Sequence, residues 1–276
     1  MYSILHALAK KSYTIEVKLH SSTIGGYRMQ LDIIGDVHGC LDELLELLET
    51  LEYRQENSSY AHPGGNKLVF VGDLTDRGPN STAVIQLVYQ LVREQEIAYY
   101  VPGNHCNKLY RYFSGNQVQE KHGLETTVAE WKSLNEAQKK NIQEKFMTLY
   151  ENAPLYLYFE NLKLVVAHAG IKENLIGQMN SRTKTFVLYG DITGKTDHLG
   201  RPIRRDWAKH YKGEPWIVYG HTPVLEARQI NRTINIDTGC VFGNKLTAYQ
   251  FPKQRIVSVP SKQPFQPDRF TDFTAD

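Results

Sequence analysis

Apolar residues follow two different spacings along the chain. Short continuous apolar runs that end at Gly, Asp, Asn or His are typical of buried strands. Such runs predict strands at residues 31–34, 68–71, 97–101, 155–159, 162–167, 216–219, 227–230, 233–236, 246–251 and 256–259. Apolar residues three and four positions apart predict helices at 41–51, after Asn80 or Ser81, and at 136–150 behind the N-cap Asn135.

The order of these elements predicts an α/β fold. Strands and helices alternate in the first half, whereas hairpins with turns at Glu160-Asn161 and Asn231-Arg232 dominate the second half. This order favours two mixed β-sheets packed face to face with helices on the outer sides, which is a four-layer sandwich. Residues 105–150 are mostly helical, and we expect them to form an insertion above the ends of the strands.

Residues 29–260 form one large predicted domain with a short segment on either side. The alternation at residues 15–19 is broken by serines and glycines, so we expect residues 1–28 to be an appendage and Met29 to be the original start of the reading frame. Residues 261–276 are polar and interrupted by prolines, so we expect this C-terminal tail to be loosely packed.

Composition excludes several classes of protein. With 41% hydrophobic and 22% charged residues, the chain of 276 residues is typical of a globular protein and unlike a disordered or fibrous one. Its three cysteines are too few for a disulfide framework and favour a reducing cytoplasm. No apolar stretch approaches the ~20 residues that a membrane-spanning helix needs, so we expect no membrane association.

Charge argues against a nucleic-acid-binding face. The net charge is +2, but the first 28 residues contain four basic residues and one acidic residue, so the rest of the chain is slightly negative. A protein that follows a phosphate backbone concentrates Lys and Arg over a whole face. We therefore expect no extended nucleic acid as a partner.

Residues able to bind metal ions stand at six predicted strand ends. They are Asp36 and His38, Asp73, Asn104 and His105, His168, His221, and Asp237. Ligands bind at strand ends in α/β sheets because the loops converge there on a rigid scaffold. Carboxylate, imidazole and amide oxygen ligands suit Mn, Ni, Fe or Zn, and the lack of paired thiolates argues against a structural zinc site.

Five short motifs contain all of these residues except Asp237, in a particular order. They are GDVHG at 35–39, GDLTDRG at 72–78, GNH at 103–105, HAG at 168–170 and GHT at 220–222. Each motif alone is weak evidence. Together and in this order they resemble the motif set of the calcineurin-like metallophosphoesterases, in their phosphoprotein-phosphatase branch. The resemblance implies the metallophosphoesterase four-layer sandwich and metal-dependent phosphate hydrolysis.

Longer segments narrow the resemblance. Five of them look like segments of the bacterial PrpE family of asymmetrical bis(5'-nucleosyl)-tetraphosphatases. They are VPGNHCNKLYRY (101–112), HGLETT (122–127), YGDITG (189–194), GRPIRRDWA (200–208) and NRTINIDTGCVFGNKLT (231–247). The resemblance covers about residues 29–260, the predicted catalytic domain. The phosphatase domain of bacterial polynucleotide kinase-phosphatases is similar in the same stretches. No Gly-x-x-x-x-Gly-Lys-Ser/Thr loop is present, so a kinase half is excluded and GTP binding is not expected.

The resemblance implies two divalent metal ions, with Ni or Mn favoured and Fe or Zn as alternatives. One ion would be held by Asp36, His38 and Asp73, and the other by Asp73, Asn104, His168 and His221. Asp73 would then bridge the two ions. Hydroxide activated by such a pair is nucleophilic at neutral pH and attacks phosphorus directly.

The resemblance also assigns catalytic roles to three residues. Arg77 would clamp phosphate oxygens, His105 would donate a proton to the leaving oxygen, and Asp76 would orient that imidazole. Asp237, in a DTG element, would support a metal-binding histidine from behind.

The three cysteines each follow a motif. Cys106 stands where phosphoprotein phosphatases have Glu, which removes a carboxylate from the rim and suits a more anionic substrate. Proximity of Cys40 and Cys240 would allow redox or metal sensitivity, but we favour their interpretation as small buried apolar residues.

Basic and aromatic residues near the motifs are candidates for binding a dinucleoside polyphosphate. Residues 178–213 contain eight basic residues and three acidic ones. The predicted substrate contacts are Lys108, Arg111, Arg204, Arg205 and Trp207. The alternative interpretation is that these charges form a solvated face and that the aromatic residues belong to the core.

Three functions stay open on the sequence alone. The first is a hydrolase that cleaves diadenosine tetraphosphate to ATP and AMP, with a small-molecule substrate. The second is a protein phosphatase acting on phosphotyrosine or phosphoserine, for which phosphoproteins would be partners. The third is an inactive scaffold used for binding, which the complete set of metal-binding residues argues against.

Overall fold

Two mixed β-sheets lie face to face in the computed structural model, which describes residues 14–16, 23–24, 27–196 and 202–273. The strands are β1 (Thr14–Glu16), β2 (Thr23–Ile24), β3 (Tyr27–Arg28), β4 (Leu31–Ile34), β5 (Arg54–Glu56), β6 (Ser59–Ala61), β7 (Lys67–Phe70), β8 (Ala98–Tyr100), β9 (Tyr156–Phe159), β10 (Leu164–Val166), β11 (Ile192–Thr196), β12 (Pro202–Arg204), β13 (Trp216–Tyr219), β14 (Arg228–Ile230), β15 (Thr233–Asn235), β16 (Lys245–Phe251) and β17 (Arg255–Pro260). The helices are α1 (Leu41–Thr50), α2 (Ser81–Tyr89), α3 (Asn104–Phe113), α4 (Leu124–Ser133), α5 (Glu136–Glu151) and α6 (Ser181–Tyr189).

Each large sheet contains three adjacent parallel strands. The five-stranded sheet has the order β17-β16-β4-β7-β8, in which β4, β7 and β8 are parallel. The six-stranded sheet has the order β1-β9-β10-β13-β15-β14, in which β10, β13 and β15 are parallel. The carboxyl ends of each parallel trio therefore lie along one edge of its sheet.

Alternate residues of the strands enter different cores, as a period of two requires. Leu31 and Ile33 of β4 pack between the sheets with residues of the six-stranded sheet such as Val166 and Val218. Ile34 packs instead in the core beneath α1 to α5. Residues of α6, including Val187, cover the outer side of the six-stranded sheet. This arrangement confirms the predicted four layers.

Local chemistry explains where the helices of residues 104–151 begin. Asn135 forms a capping box with Gln138, which satisfies free backbone N–H groups at the start of α5. The first helix of this region, α3, begins at Asn104 immediately after β8 and its turn. These helices share a core with α1 and α2, so the region belongs to an outer layer. It reaches the strand ends through the start of α3 and through residues 122–127.

Part of the segment predicted as an appendage extends a sheet. Thr14–Glu16 pairs in parallel with β9 at the edge of the six-stranded sheet. Most of the remaining residues before 27 lie outside the described residues. Among the described residues, no helix is both long enough and apolar enough to cross a bilayer.

Candidate metal centre

Six strand ends bring the predicted metal-binding residues together. Asp36, Asp73 and Asn104 follow β4, β7 and β8, while His168, His221 and Asp237 follow β10, β13 and β15. Because both parallel trios end on the same side of the molecule, one group from each sheet meets the other at a shared edge. Asp73 and His168, which come from different sheets, approach within 3.3 Å (Oδ2 to Nε2).

Four side-chain atoms surround the position predicted for one metal ion. His168 Nε2 lies 3.0 Å from Asn104 Oδ1 and 3.0 Å from His221 Nδ1, in addition to its approach to Asp73. His168 Nδ1 faces the carbonyl oxygen of Val71 at 3.2 Å. That hydrogen bond puts the ring proton on Nδ1 and leaves a lone pair on Nε2.

This set of atoms fits a divalent cation. In the orientation present, the Asn104 carbonyl oxygen, the lone pair of His168 Nε2 and the Asp73 carboxylate are acceptors that face one another. Such a cluster is favourable only around a positive charge. The opposite orientation of the Asn104 amide would donate to His168 and His221, so the carbonyl orientation is the one that suits a metal ion.

The residues predicted for the other ion are close to the same carboxylate. His38 Nε2 lies 3.7 Å from Asp73 Oδ2, and its Nδ1 faces the carbonyl oxygen of Thr75 at 2.8 Å. Asp36 accepts a hydrogen bond from the backbone N–H of His221 at 3.2 Å. Arg77 Nη1 lies 2.6 Å from His38 Nε2, so that nitrogen can hold a metal ion only if Arg77 turns away from it.

Burial sets the ionisation of the site. It lowers the pKa values of His38, His168 and His221, because the imidazolium form is poorly solvated there. Burial alone would raise the pKa of Asp73, but the neighbouring imidazoles outweigh it and hold that pKa below its usual value. Neutral imidazoles beside an ionised carboxylate are the protonation states that metal binding requires.

The backbone is strained where these side chains are presented. The φ angles are 47° at His38, 39° at Asp73, 77° at Asp76, 71° at Arg77 and 73° at His221. A non-glycine residue with positive φ costs about 1–3 kcal/mol, and such residues cluster at functional sites. The strain re-aims side chains at the ends of strands, and the residue pattern gives no sign of it.

His105 and Asp76 form a buried pair. His105 Nδ1 lies 2.7 Å from Asp76 Oδ2, and Asp76 is fully buried. Thr127 donates to the other carboxylate oxygen at 2.8 Å, and the Asp76 N–H donates to Ser81 Oγ at 3.1 Å. Ser81 therefore fixes Asp76. Its neighbour Asn80, at the N-cap position of α2, makes no side-chain capping bond.

Asp237 is buried beside the predicted metal-binding residues. Its carboxylate accepts a hydrogen bond from the N–H of Gly239 at 3.0 Å, and backbone carbonyls, rather than this carboxylate, face the Nδ1 atoms of His38 and His168. Burial raises the pKa of Asp237 to about 7. Burial, with the charges of Asp237 and Asp73, also raises the pKa of Asp36. The Asp237 carboxylate thus lies close enough to Asp36 to affect its pKa, and the supporting role expected of Asp237 stays a prediction.

A cavity of about 780 Å³ opens over the site. Among its lining residues are Asp73, Arg77, Asn104, His105, Arg204, Arg205, Trp207, His221, Phe242, Arg269, Phe270 and Phe273. Two predicted substrate contacts, Lys108 and Arg111, are not among the residues that line it. Trp207 is only 7% exposed because it packs against Phe186, Tyr211 and Tyr219, so little of its ring is free for stacking.

Sequence reasoning missed the contribution of the C-terminal tail. Residues 266–273 are mostly exposed, yet several of them line the cavity, including Arg269 and Phe270. The tail was predicted to be loosely packed and was not predicted to lie beside the site. Three phenylalanines in an otherwise polar segment are the signal that such a tail packs against a domain.

The three cysteines are buried free thiols. Cys106 is fully buried in the helical core, where burial raises its pKa to about 12, so this position does not contribute to the rim as the sequence suggested. The Sγ atoms of Cys40 and Cys240 and a carboxylate oxygen of Glu43 lie within 4.8 Å of one another. A hydrogen bond between those two thiols, together with burial, raises the pKa of Cys240.

Comparison with known proteins agrees with this geometry. A family model for calcineurin-like phosphoesterases matches residues 29–236. The chain is 65% identical over 245 residues to the bis(5'-nucleosyl)-tetraphosphatase PrpE (asymmetrical) of Oceanobacillus iheyensis. The matched residues make up 89% of this chain and 98% of that protein.

Solved structures share the fold. One, described as a candidate diadenosine tetraphosphatase, superposes with a TM-score of 0.61 and 25% identity, covering 84% of this chain and 94% of its own. A cold-active protein-tyrosine phosphatase of a psychrophilic Shewanella has a TM-score of 0.52 and 18% identity, covering 83% and 77%, and is a likeness of fold alone. The chain therefore belongs to the calcineurin-like phosphoesterase family and, within it, to the PrpE group.

Proposed function

We propose that this protein hydrolyses dinucleoside tetraphosphates asymmetrically, so that diadenosine tetraphosphate and water give ATP and AMP. The observation that carries the proposal is the cavity itself, in which four arginines and the metal-binding residues line one space: Arg77, Arg204, Arg205 and Arg269. A single phosphate group does not need so many guanidinium groups, whereas a chain of four phosphates does. The name of the Oceanobacillus relative points to the same activity.

Two divalent ions complete the site in this proposal. Asp36, His38 and Asp73 hold one ion, and Asp73, Asn104, His168 and His221 hold the other. Ni²⁺ or Mn²⁺ suits this mixture of imidazole, carboxylate and amide oxygen, with Fe²⁺ and Zn²⁺ as alternatives. When bound, the ions supply positive charge that stabilises the transition state and lowers the pKa of water.

Three side chains of the protein then bind the phosphate and supply the proton. Arg77 binds nonbridging oxygens of the attacked phosphate through its planar fork, once it leaves His38. His105 gives a proton to the leaving oxygen, and Asp76 holds the imidazole ring of His105 in position through the 2.7 Å contact. The Thr127 hydroxyl and the Ser81 hydroxyl keep Asp76 fixed, which preserves the direction of the donated proton.

Protein phosphatase activity is less favoured. The likeness to the Shewanella enzyme is one of fold alone, and the arginines that line the cavity suit a more highly charged anion than a phosphorylated side chain. The buried free cysteines agree with a reducing compartment, and we place the activity in the cytoplasm.

The test is product analysis with purified protein loaded with Mn²⁺ or Ni²⁺. Diadenosine tetraphosphate and a phosphotyrosine peptide are incubated separately, and nucleotides and phosphate are separated by anion-exchange chromatography. Equal amounts of ATP and AMP are expected. Two molecules of ADP per substrate would contradict asymmetrical cleavage, and faster turnover of the peptide would contradict the proposed substrate.

A further inference from the structure

The C-terminal tail forms one wall of the cavity. The residues of the tail that line the cavity are Gln266, Arg269, Phe270, Thr271 and Phe273. Gln266 and Thr271 lie on either side of Arg269 in the chain, so the position of Arg269 depends on how these two residues are held.

Backbone hydrogen bonds hold the tail on both sides of Arg269. The Gln266 N–H donates to the carbonyl oxygen of Phe242 at 3.0 Å, and the Thr271 N–H donates to that of Pro223 at 2.8 Å. The Phe270 ring lies so close to Gly239 that a Cβ there would come within 2.4 Å of it. Arg269 is thus presented from an anchored turn and not from a free end.

One aromatic ring links Arg269 to the reaction centre. The guanidinium carbon of Arg269 lies 5.4 Å from the centroid of the Phe242 ring, and that of Arg77 lies 5.3 Å from the same centroid. Arg77 in turn contacts His38. Phe242 therefore contacts two guanidinium groups, and only that of Arg77 is also shown in contact with a predicted metal-binding residue.

The other two cavity arginines have polar partners on the protein. Arg204 Nε donates to the carbonyl oxygen of Tyr189 at 2.9 Å, and Arg205 Nη1 lies 3.4 Å from Asp191 Oδ1. Those partners restrain the two side chains. The contact shown for Arg269 is with the face of an aromatic ring, which uses none of the hydrogen-bond donors of its guanidinium group.

We propose that Arg269 binds phosphates of the substrate other than the one that is attacked. This inference rests on the proposed function, since only a polyphosphate has such groups. The attacked phosphate is served by Arg77 and the metal-binding residues, and the neighbouring phosphates lie beyond Phe242, at Arg269. The arginine then selects for length of the phosphate chain.

The experiment compares the wild type with Arg269→Ala and Arg269→Lys. For each protein, the inhibition constants of AMP, ADP and ATP are measured against hydrolysis of p-nitrophenyl phosphate, with Mg²⁺ in excess over nucleotide. A lost charge-assisted hydrogen bond is worth about 1.5–3 kcal/mol, so ATP binding should weaken roughly 10- to 100-fold in Arg269→Ala. AMP binding should weaken far less, because its one phosphate is served by Arg77 and the metal-binding residues. Arg269→Lys should be intermediate because it keeps the charge without the planar fork.

The matched control is Lys262→Ala in the same tail, because Lys262 lies 3.6 Å from Asp42 and does not line the cavity. It should bind all three nucleotides like wild type. Equal weakening of AMP and ATP in Arg269→Ala, or a lowered thermal midpoint that accounts for the loss, would assign Arg269 a structural role and overturn the proposal. These assays use p-nitrophenyl phosphate, so failure to cleave diadenosine tetraphosphate would be seen separately.

Discussion

At the scale of single residues, Gly103 shows how tightly the site is built. A Cβ at this position would lie 2.0 Å from Asp73 Oδ1 and 2.7 Å from the Asp73 backbone nitrogen. The carboxylate that both predicted metal positions share can occupy its place only because Gly103 has no side chain. Glycine is required here for close approach rather than for an unusual φ angle.

Gly103→Ala should therefore displace Asp73 and strip the protein of metal. We expect loss of both ions and of nearly all turnover, read by mass spectrometry of the metal content and by an activity assay. Gly115→Ala is the matched control, because Gly115 has a φ of 80° but no atom within 4 Å of its Cβ position. The control should lose about 1 kcal/mol of stability and keep its metal. Two ions retained in Gly103→Ala would refute the shared role of Asp73.

His105 gives a second prediction at this scale, because a general acid matters most for a poor leaving group. A phenolate has a parent pKa of ~10, whereas nucleotide oxygens leave readily as anions. His105→Ala should slow cleavage of phenyl phosphate by about 10²- to 10⁴-fold and cleavage of diadenosine tetraphosphate by less. Asp76→Asn should show the same order more weakly. Equal losses for both substrates at unchanged metal content would mean that His105 positions phosphate instead of donating a proton.

The residues of the site were predictable to different extents. Asp36, Asp73 and His221 each follow a strand and a glycine, and that pattern is visible in the sequence. Arg269 lies far along the chain in a segment without periodicity, so only folding reveals that it faces the cavity. The contact of Arg77 with His38 depends on backbone angles that residue types do not determine.

At the scale of elements, the strongly apolar strands and the capped helix α5 were predictable. The hairpin of β5 and β6 was missed because its strands are exposed or half-buried and carry no apolar alternation. Its turn residues Asn57 and Ser58 have φ angles of 48° and 67°, which suits a two-residue hairpin turn. Helix α6 was missed too, although Asn180 caps it by accepting a hydrogen bond from the N–H of Thr183.

The edge strand β1 gives a prediction about the N-terminal segment. It pairs through only three residues, and so short an edge strand adds little to the free energy of unfolding once the entropy of ordering it is subtracted. A protein that begins at Met29 should fold and hydrolyse substrate with little change in thermal midpoint or rate. Thermal unfolding and steady-state kinetics of the two forms test this. A large loss in either would mean that β1 completes the sheet.

At the scale of the whole molecule, the candidate metal centre joins the two sheets. Asp73 and Asn104 belong to the five-stranded side, and His168 and His221 belong to the six-stranded side. An ion bound by all four would therefore act as a cross-link between the layers. Removing it should loosen the contact between sheets and leave four polar side chains facing one another, of which Asp73 and His168 are buried.

Chelation should accordingly lower the thermal midpoint. Ligand present at ~100 times its dissociation constant stabilises a protein by about 2.7 kcal/mol per site, which for a domain of this size corresponds to roughly 5 to 10 °C. The midpoint should recover on titration with Mn²⁺. Asp73→Asn is the control, because its midpoint should not respond to Mn²⁺. An unchanged midpoint in the wild type after complete removal of metal would contradict a bridge between the sheets.

The spread of these ligands along the chain also has a consequence for biosynthesis. Asp36 follows β4, the first strand of the five-stranded sheet in chain order, and His221 follows β13, so most of the domain has to be synthesised before the last ligand exists. Contacts between residues so distant in sequence form slowly, because loop closure costs entropy before the contact repays it. A nascent chain on the ribosome cannot complete this centre until β13 has emerged. Metal uptake should therefore be a late event that only correctly finished chains undergo.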